Sequence, residues 1–278
     1  MVQIVGTSMN LSDQSVSNSR CHFWLLGSLG ALLLTISGCG AAAYENRVEE
    51  TAKYFRYLEI LDQNLGPLWR DSGIELRVPK QFQLMPKPQV PKAEEGKPAP
   101  VVIDHRQPDY MNFEFPGLIG AWQTKVNATV NGAAAERKAY IYVISNYSMF
   151  SQANQIAKAP EFSQSFLDRF WQSLSIPEDQ RRALQEKYPK VQGYQPEKNF
   201  TVINLRPSQP IDGVQYLFDV YLIQQQDVQV AVIVATPADS DANIFLGKGI
   251  PLMLETMALT GEKPRAGGKP AAPQSNAF

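Results

Sequence analysis

Beyond Gly40 the chain contains no cysteine: its only two, Cys21 and Cys39, fall in the first 40 of 278 residues. That absence excludes a disulfide framework, a thiolate zinc site and a cysteine nucleophile from everything downstream. Histidine is almost as scarce. His22 lies in the leading segment, which leaves His105 alone, without partners for a metal site. Charge of one sign is lacking too, with 26 basic residues against 27 acidic ones and a net charge of −1. Nothing in that balance draws the chain to nucleic acid, which is not an expected partner. Nucleotide and nucleophile motifs are missing. Gly247-Lys248-Gly249 lacks the spacing of a phosphate-binding loop, and there is no Gly-x-Ser-x-Gly elbow. No cofactor is expected. There is no internal repeat, and the apolar run Phe23–Ile36 is shorter than the roughly 20 residues a spanning helix needs.

That short run is the most informative feature present. A polar segment of nineteen residues and a single cation, Arg20, precede it, and small residues follow it at once. Its length suits the apolar region of a secretory signal. Ile36-Ser37-Gly38-Cys39 resembles the lipobox of bacterial lipoproteins, an aliphatic residue and two small ones before an obligatory cysteine. The resemblance implies cleavage between Gly38 and Cys39, acylation of Cys39, and a membrane partner held through the lipid. Two or three acyl chains, at about 0.8 kcal/mol per buried methylene, anchor a protein stably. By the same resemblance Gly40, where inner-membrane lipoproteins often carry Asp, favours the outer membrane. Two other readings stand beside it: an ordinary signal cut within Ala41–Ala43, and an uncleaved anchor helix over 22–43.

The residues that follow divide by composition into a signal (1–38), a lipidated tether (39–43), an N-terminal helix and short strand (44–85), a proline-rich linker or loop (86–109), a globular domain (110–260) and a polar tail (261–278). Helical spacing of Val48, Phe55, Leu58 and Ile60 or Leu61 predicts a helix over 44–65, stopped by Gly66-Pro67. It reads either as a stalk or coiled-coil segment, with Lys53, Arg56 and Asp62 interrupting the seam, or as a helix packed on its own domain. Ile74, Leu76 and Val78 alternate as a short strand ended by Pro79. In the main body, strands are predicted over 118–130 and 136–146, joined by Asn131-Gly132, and over 199–205, 214–225 and 228–236. Helices are predicted over 160–175, 177–188 and 241–259. The fold class is α+β: one antiparallel sheet of five or six strands, with helices on one face and a helix before it.

Chemistry has few candidates. Asp104, His105 and Arg106 form the most mixed polar cluster, in which His105 is the single candidate general base and a surface loop the plainer reading. Asp219 lies inside the strand Tyr216–Gln225, opposite the face of Phe218 and Val220, where a buried carboxyl needs a partner. Asn127, Asn146 and Asn199 begin Asn-x-Ser/Thr triplets that read as chance matches. The expected function is a lipid-anchored envelope protein, non-enzymatic, whose domain binds a protein partner in the envelope. The alternatives are an envelope hydrolase using acidic residues and a carrier of an apolar ligand.

Overall fold

A computed structural model describes residues 42–89, 102–130, 133–191 and 193–264. The signal, Gly38, Cys39, most of the proline-rich stretch, the Asn131-Gly132 turn and the tail from 265 lie outside the described residues. The chain divides into two compact units, 1–59 and 60–278.

Helix α1 covers 42–64, and its side chains are exposed from 42 to 56. Lys53 pairs with both Glu49 and Glu50, at 2.9 and 3.2 Å. The expected stop at Gly66-Pro67 comes earlier: the chain turns straight into strand β1 (Leu65–Asp71). Pro67 lacks an amide N–H to give to a ladder, and the β1 register slips between Leu65 and Leu68, which accommodates it. Strand β2 (Ile74–Pro79) returns through Ser72-Gly73, both with positive φ (50° and 72°), the requirement of a tight two-residue hairpin.

The remaining strands are β3 (Gln83–Leu84), β4 (Leu118–Val130), β5 (Ala133–Ser145), β6 (Leu184–Tyr188), β7 (Lys198–Leu205), β8 (Tyr216–Gln225), β9 (Val228–Pro237) and β10 (Ala258–Leu259). Helix α2 covers Phe162–Ser173 and α3 covers Asn243–Thr256. Two antiparallel sheets result, one of three strands ordered β1-β2-β10 and one of seven ordered β3-β4-β5-β9-β8-β7-β6. The proline-rich stretch therefore connects neighbouring strands of the larger sheet, since β3 pairs with β4.

The sheet is larger than the five or six strands expected, and there is a second one. Part of the excess comes from 177–188, expected as a helix. Only Glu178–Gln180 make a turn of 3-10 helix there, and Leu184–Tyr188 pair with β7. Helix-favouring residues such as Leu184, Gln185 and Glu186 yield to the open edge of β7, because tertiary pairing outweighs a propensity of tenths of a kcal/mol (~0.7 at most). The final helix likewise stops at Thr256 and gives its last residues to β10, which pairs with β2.

The helices do not share one face. Every residue of β9 is buried, so both sides of the sheet are covered at its centre. On one side α2 lays Phe162, Phe166 and Phe170 against Phe218, Tyr142 and Ile233. On the other, Trp69 of β1 meets Trp122 of β4 edge-on at 5.1 Å between ring centroids. Helix α3 lies against β2 on that side, with Gly249 so close to the Pro79 ring that an added Cβ would sit 2.8 Å from it. The loop over 102–117 also enters the core, carrying Tyr110, Phe113 and Phe115 onto the α2 side.

Candidate functional site

The polar cluster is a clamp that shapes the loop before β4. Arg106, 6% exposed, points its guanidinium at Asp104, with Nε 2.9 Å from Oδ1 and Nη2 2.7 Å from Oδ2. Its Nη1 donates to the Ile119 carbonyl at 2.9 Å, which ties the loop to the start of β4. Burial works to raise the Asp104 carboxyl, but the hydrogen bonds and charge of Arg106 outweigh it and hold that carboxyl below its ordinary value. Gln107 extends the clamp by exchanging two hydrogen bonds with the Phe115 backbone. His105 points outward and is exposed. The three residues are adjacent in space, yet the arginine is consumed by structure and the histidine stands apart from the salt bridge.

Tyr110 follows in the same loop and stacks between Tyr140 and Tyr216, at 5.0 and 4.8 Å. Burial pushes the Tyr216 hydroxyl up to about 12 and drives Tyr110 and Tyr142 higher still. These phenols stay protonated, so they work here as hydrogen-bonding and packing groups. Only the tyrosine spacing along β5 hinted at this stack; the loop's contribution has no periodic signal.

A second polar group lies across β6, β7 and β8, on the side of the sheet away from α2. Asn204 donates to Asp219 at 2.6 Å, and Tyr188 and Lys190 both donate to Glu186, at 2.7 and 2.5 Å. Lys190 and Tyr188 hold the Glu186 carboxyl below its ordinary value. Burial raises Asp219, against the pull of Asn204, and the nearby charge of Glu186 adds to the rise. Asp219 thus has the partner that a half-buried carboxyl in a strand requires. Its folded value lies above its unfolded one, so the ionised carboxylate is disfavoured in the native state once pH passes that raised value. Asp219→Asn is therefore expected to raise the thermal midpoint at pH 7, with the advantage shrinking as pH falls towards the unfolded carboxyl value. Thermal melts of both chains at pH 7 and pH 4 check this.

One cleft, of about 200 Å³, opens between the start of α2 and the turn before β4. Its floor is apolar, formed by Met149, Phe162 and Phe166, and its rim carries Lys158 and Arg169 with no carboxylate among the lining residues. Gly117 shapes the wall. Its φ is 61°, and an added Cβ would fall 2.2 Å from the Ser145 carbonyl oxygen, so no other residue fits. Arg169 is steadied over the Phe113 ring at 5.7 Å. The arrangement suits a small group with an apolar body and a negative end. The periodicity of α2 marked these phenylalanines as core, and it gave no sign that the exposed ends of the same helix would border a cleft.

Asn146 is fully buried, donating to the Ala159 and Asp227 carbonyls at 2.9 Å each and accepting from the Gln229 amide at 2.9 Å. Its triplet is out of reach in the folded chain. Asn127 is also engaged, by Asp241 at 3.0 Å. Among the described residues no group of three or more His, Cys, Asp or Glu is placed to hold a metal ion, and no helix is long and apolar enough to cross a membrane.

Neither a family model nor a curated protein matches the chain. Among solved structures, a crystal structure from Bacteroides thetaiotaomicron VPI-5482 at 1.50 Å resolution is similar to 71% of this chain, with 9% identity and a TM-score of 0.31. The chain covers 50% of that structure. At that score the similarity carries no argument about fold or role.

Proposed function

We propose that this chain is a lipid-anchored bacterial envelope protein whose α+β domain is a binding module, held off the membrane by α1. The observation that carries the reading is the order of Ile36-Ser37-Gly38-Cys39 and a charged, exposed helix that begins at residue 42. An attachment residue followed within three positions by about 35 Å of solvated helix is the layout of an anchor and spacer. The cleft beside α2 supports the binding half, with its apolar floor and cationic rim. Labelling cells with radioactive palmitate is expected to mark the protein, and Cys39→Ala is expected to abolish the label. An unlabelled native chain overturns the anchor.

A second reading, an envelope hydrolase working through carboxyl groups, draws on Asp219 and Glu186, whose surroundings push their ionisation in opposite directions. It requires substrate access to both groups. Glu186 is already engaged by Tyr188 and Lys190, which favours the binding module.

A further inference from the structure

Helix α1 carries an apolar stripe that its own unit leaves exposed. Tyr44, Val48 and Phe55 are 69%, 49% and 63% exposed, and Leu58 is half-buried. With Thr51 these residues recur at intervals of four, three, four and three, the a/d spacing of a coiled-coil seam. Placed on a helical wheel, Lys53 falls diametrically opposite, where it pairs with Glu49 and Glu50. The cations that interrupt the pattern in the linear sequence therefore belong to the outer flank. Thr51 sits in the seam without an unmet donor, because its hydroxyl bonds to the Arg47 carbonyl at 2.7 Å. The next seam position is Asp62, and it is held by Arg77 at 2.8 Å, so the stripe ends at Leu58.

We propose that this stripe pairs with the same stripe of a second copy, as a parallel two-stranded seam from Tyr44 to Leu58. The proposal rests on the lipid-anchor reading, which supplies orientation and register. Two chains attached at Cys39 in one membrane present their stripes side by side, pointing the same way and at the same height. The seam is short, about 22 Å, and two heptads alone are marginal in water. Confinement to one surface raises the local concentration of partners as a tether does. The membrane itself is a poorer occupant. Interfacial helices are rich in Lys and Arg, whereas α1 has Glu45, Glu49, Glu50, Glu59 and Asp62 against Arg47, Lys53 and Arg56. Anionic headgroups repel that balance.

Disulfide trapping in native membranes tests the seam on the full chain. Cys39 is blocked as a thioether and Cys21 leaves with the signal, so an introduced thiol is the only one free. Under copper-phenanthroline oxidation, Val48→Cys and Phe55→Cys are expected to give disulfide dimers. Lys53→Cys is expected to give roughly tenfold less, because outer positions of a coiled coil face away from each other. Adding Phe55→Glu to the Val48→Cys chain is expected to abolish the dimer. Equal trapping at 48 and 53, no trapping at 48 and 55, or capture chiefly by another protein overturns the proposal. Palmitate counting on the same membranes keeps the two readings distinct. A labelled chain without seam dimers refutes the pairing alone, and an unlabelled chain refutes the anchor and the register it imposes.

Discussion

Phe170→Ala is expected to destabilise the domain by about 3–5 kcal/mol, the largest effect of any single truncation considered. The side chain is fully buried at the centre of α2, where Phe113, Phe115, Phe166 and Phe218 surround it at ring distances of 5.3–5.6 Å. Those neighbours come from the loop over 102–117, from α2 itself and from β8. A cavity there cannot collapse by the movement of one element, so its full cost is retained. The urea midpoint is expected to fall with little change in slope, the mark of lost stability without a change in exposed surface. Phe170→Leu keeps much of the volume and should recover over half of the loss.

Arg106→Ala is expected to cost about 2–3 kcal/mol, less than the loss for a fully buried pair because Asp104 keeps some contact with water. The substitution strands the Asp104 carboxylate and leaves the Ile119 carbonyl without its donor. Arg106→Lys is not expected to rescue it, since one ammonium cannot serve both carboxylate oxygens and a carbonyl in a fixed fork. Removing both partners, Asp104→Ala with Arg106→Ala, should be less damaging than removing the arginine alone. The pH dependence follows from the depressed Asp104 carboxyl. Its contribution is present above the unfolded carboxyl value and lost as pH falls through the lower folded value. Chemical denaturation between pH 3 and pH 7 is expected to show that part of the slope reduced in Arg106→Ala.

The fold was legible in the sequence where periodicity is strong. The alternation in β4, β5, β8 and β9 and the apolar face of α2 appear where expected, and α1 differs by only a residue or two at its ends. What was not legible has physical causes. The strand β1 contains Gly66 and Pro67, which normally punctuate rather than extend, and it exists because β2 folds back on it through Ser72-Gly73. β6 has a helix former's composition and is fixed by a neighbour nearly twenty residues away in the chain. β10 is two residues long and carries no pattern at all. The candidate site was legible as a set of residues and illegible as an arrangement. Asp104, His105 and Arg106 are adjacent by covalent necessity, but the outward turn of His105 and the tie from Arg106 to Ile119 depend on where β4 begins.

β9 was described as buried along its entire length, with β5 on one flank, β8 on the other, and a covering layer above and below. A backbone so enclosed has no private route to solvent. For its amides to meet water, either two neighbouring strands must part or two layers must lift, and each of those events dismantles most of the core. The opening of β9 is therefore the opening of the whole domain. Smaller fluctuations are left to the perimeter, to α1, the edge strand β6 and the rim of the cleft, where a binding module can be mobile without risking its centre.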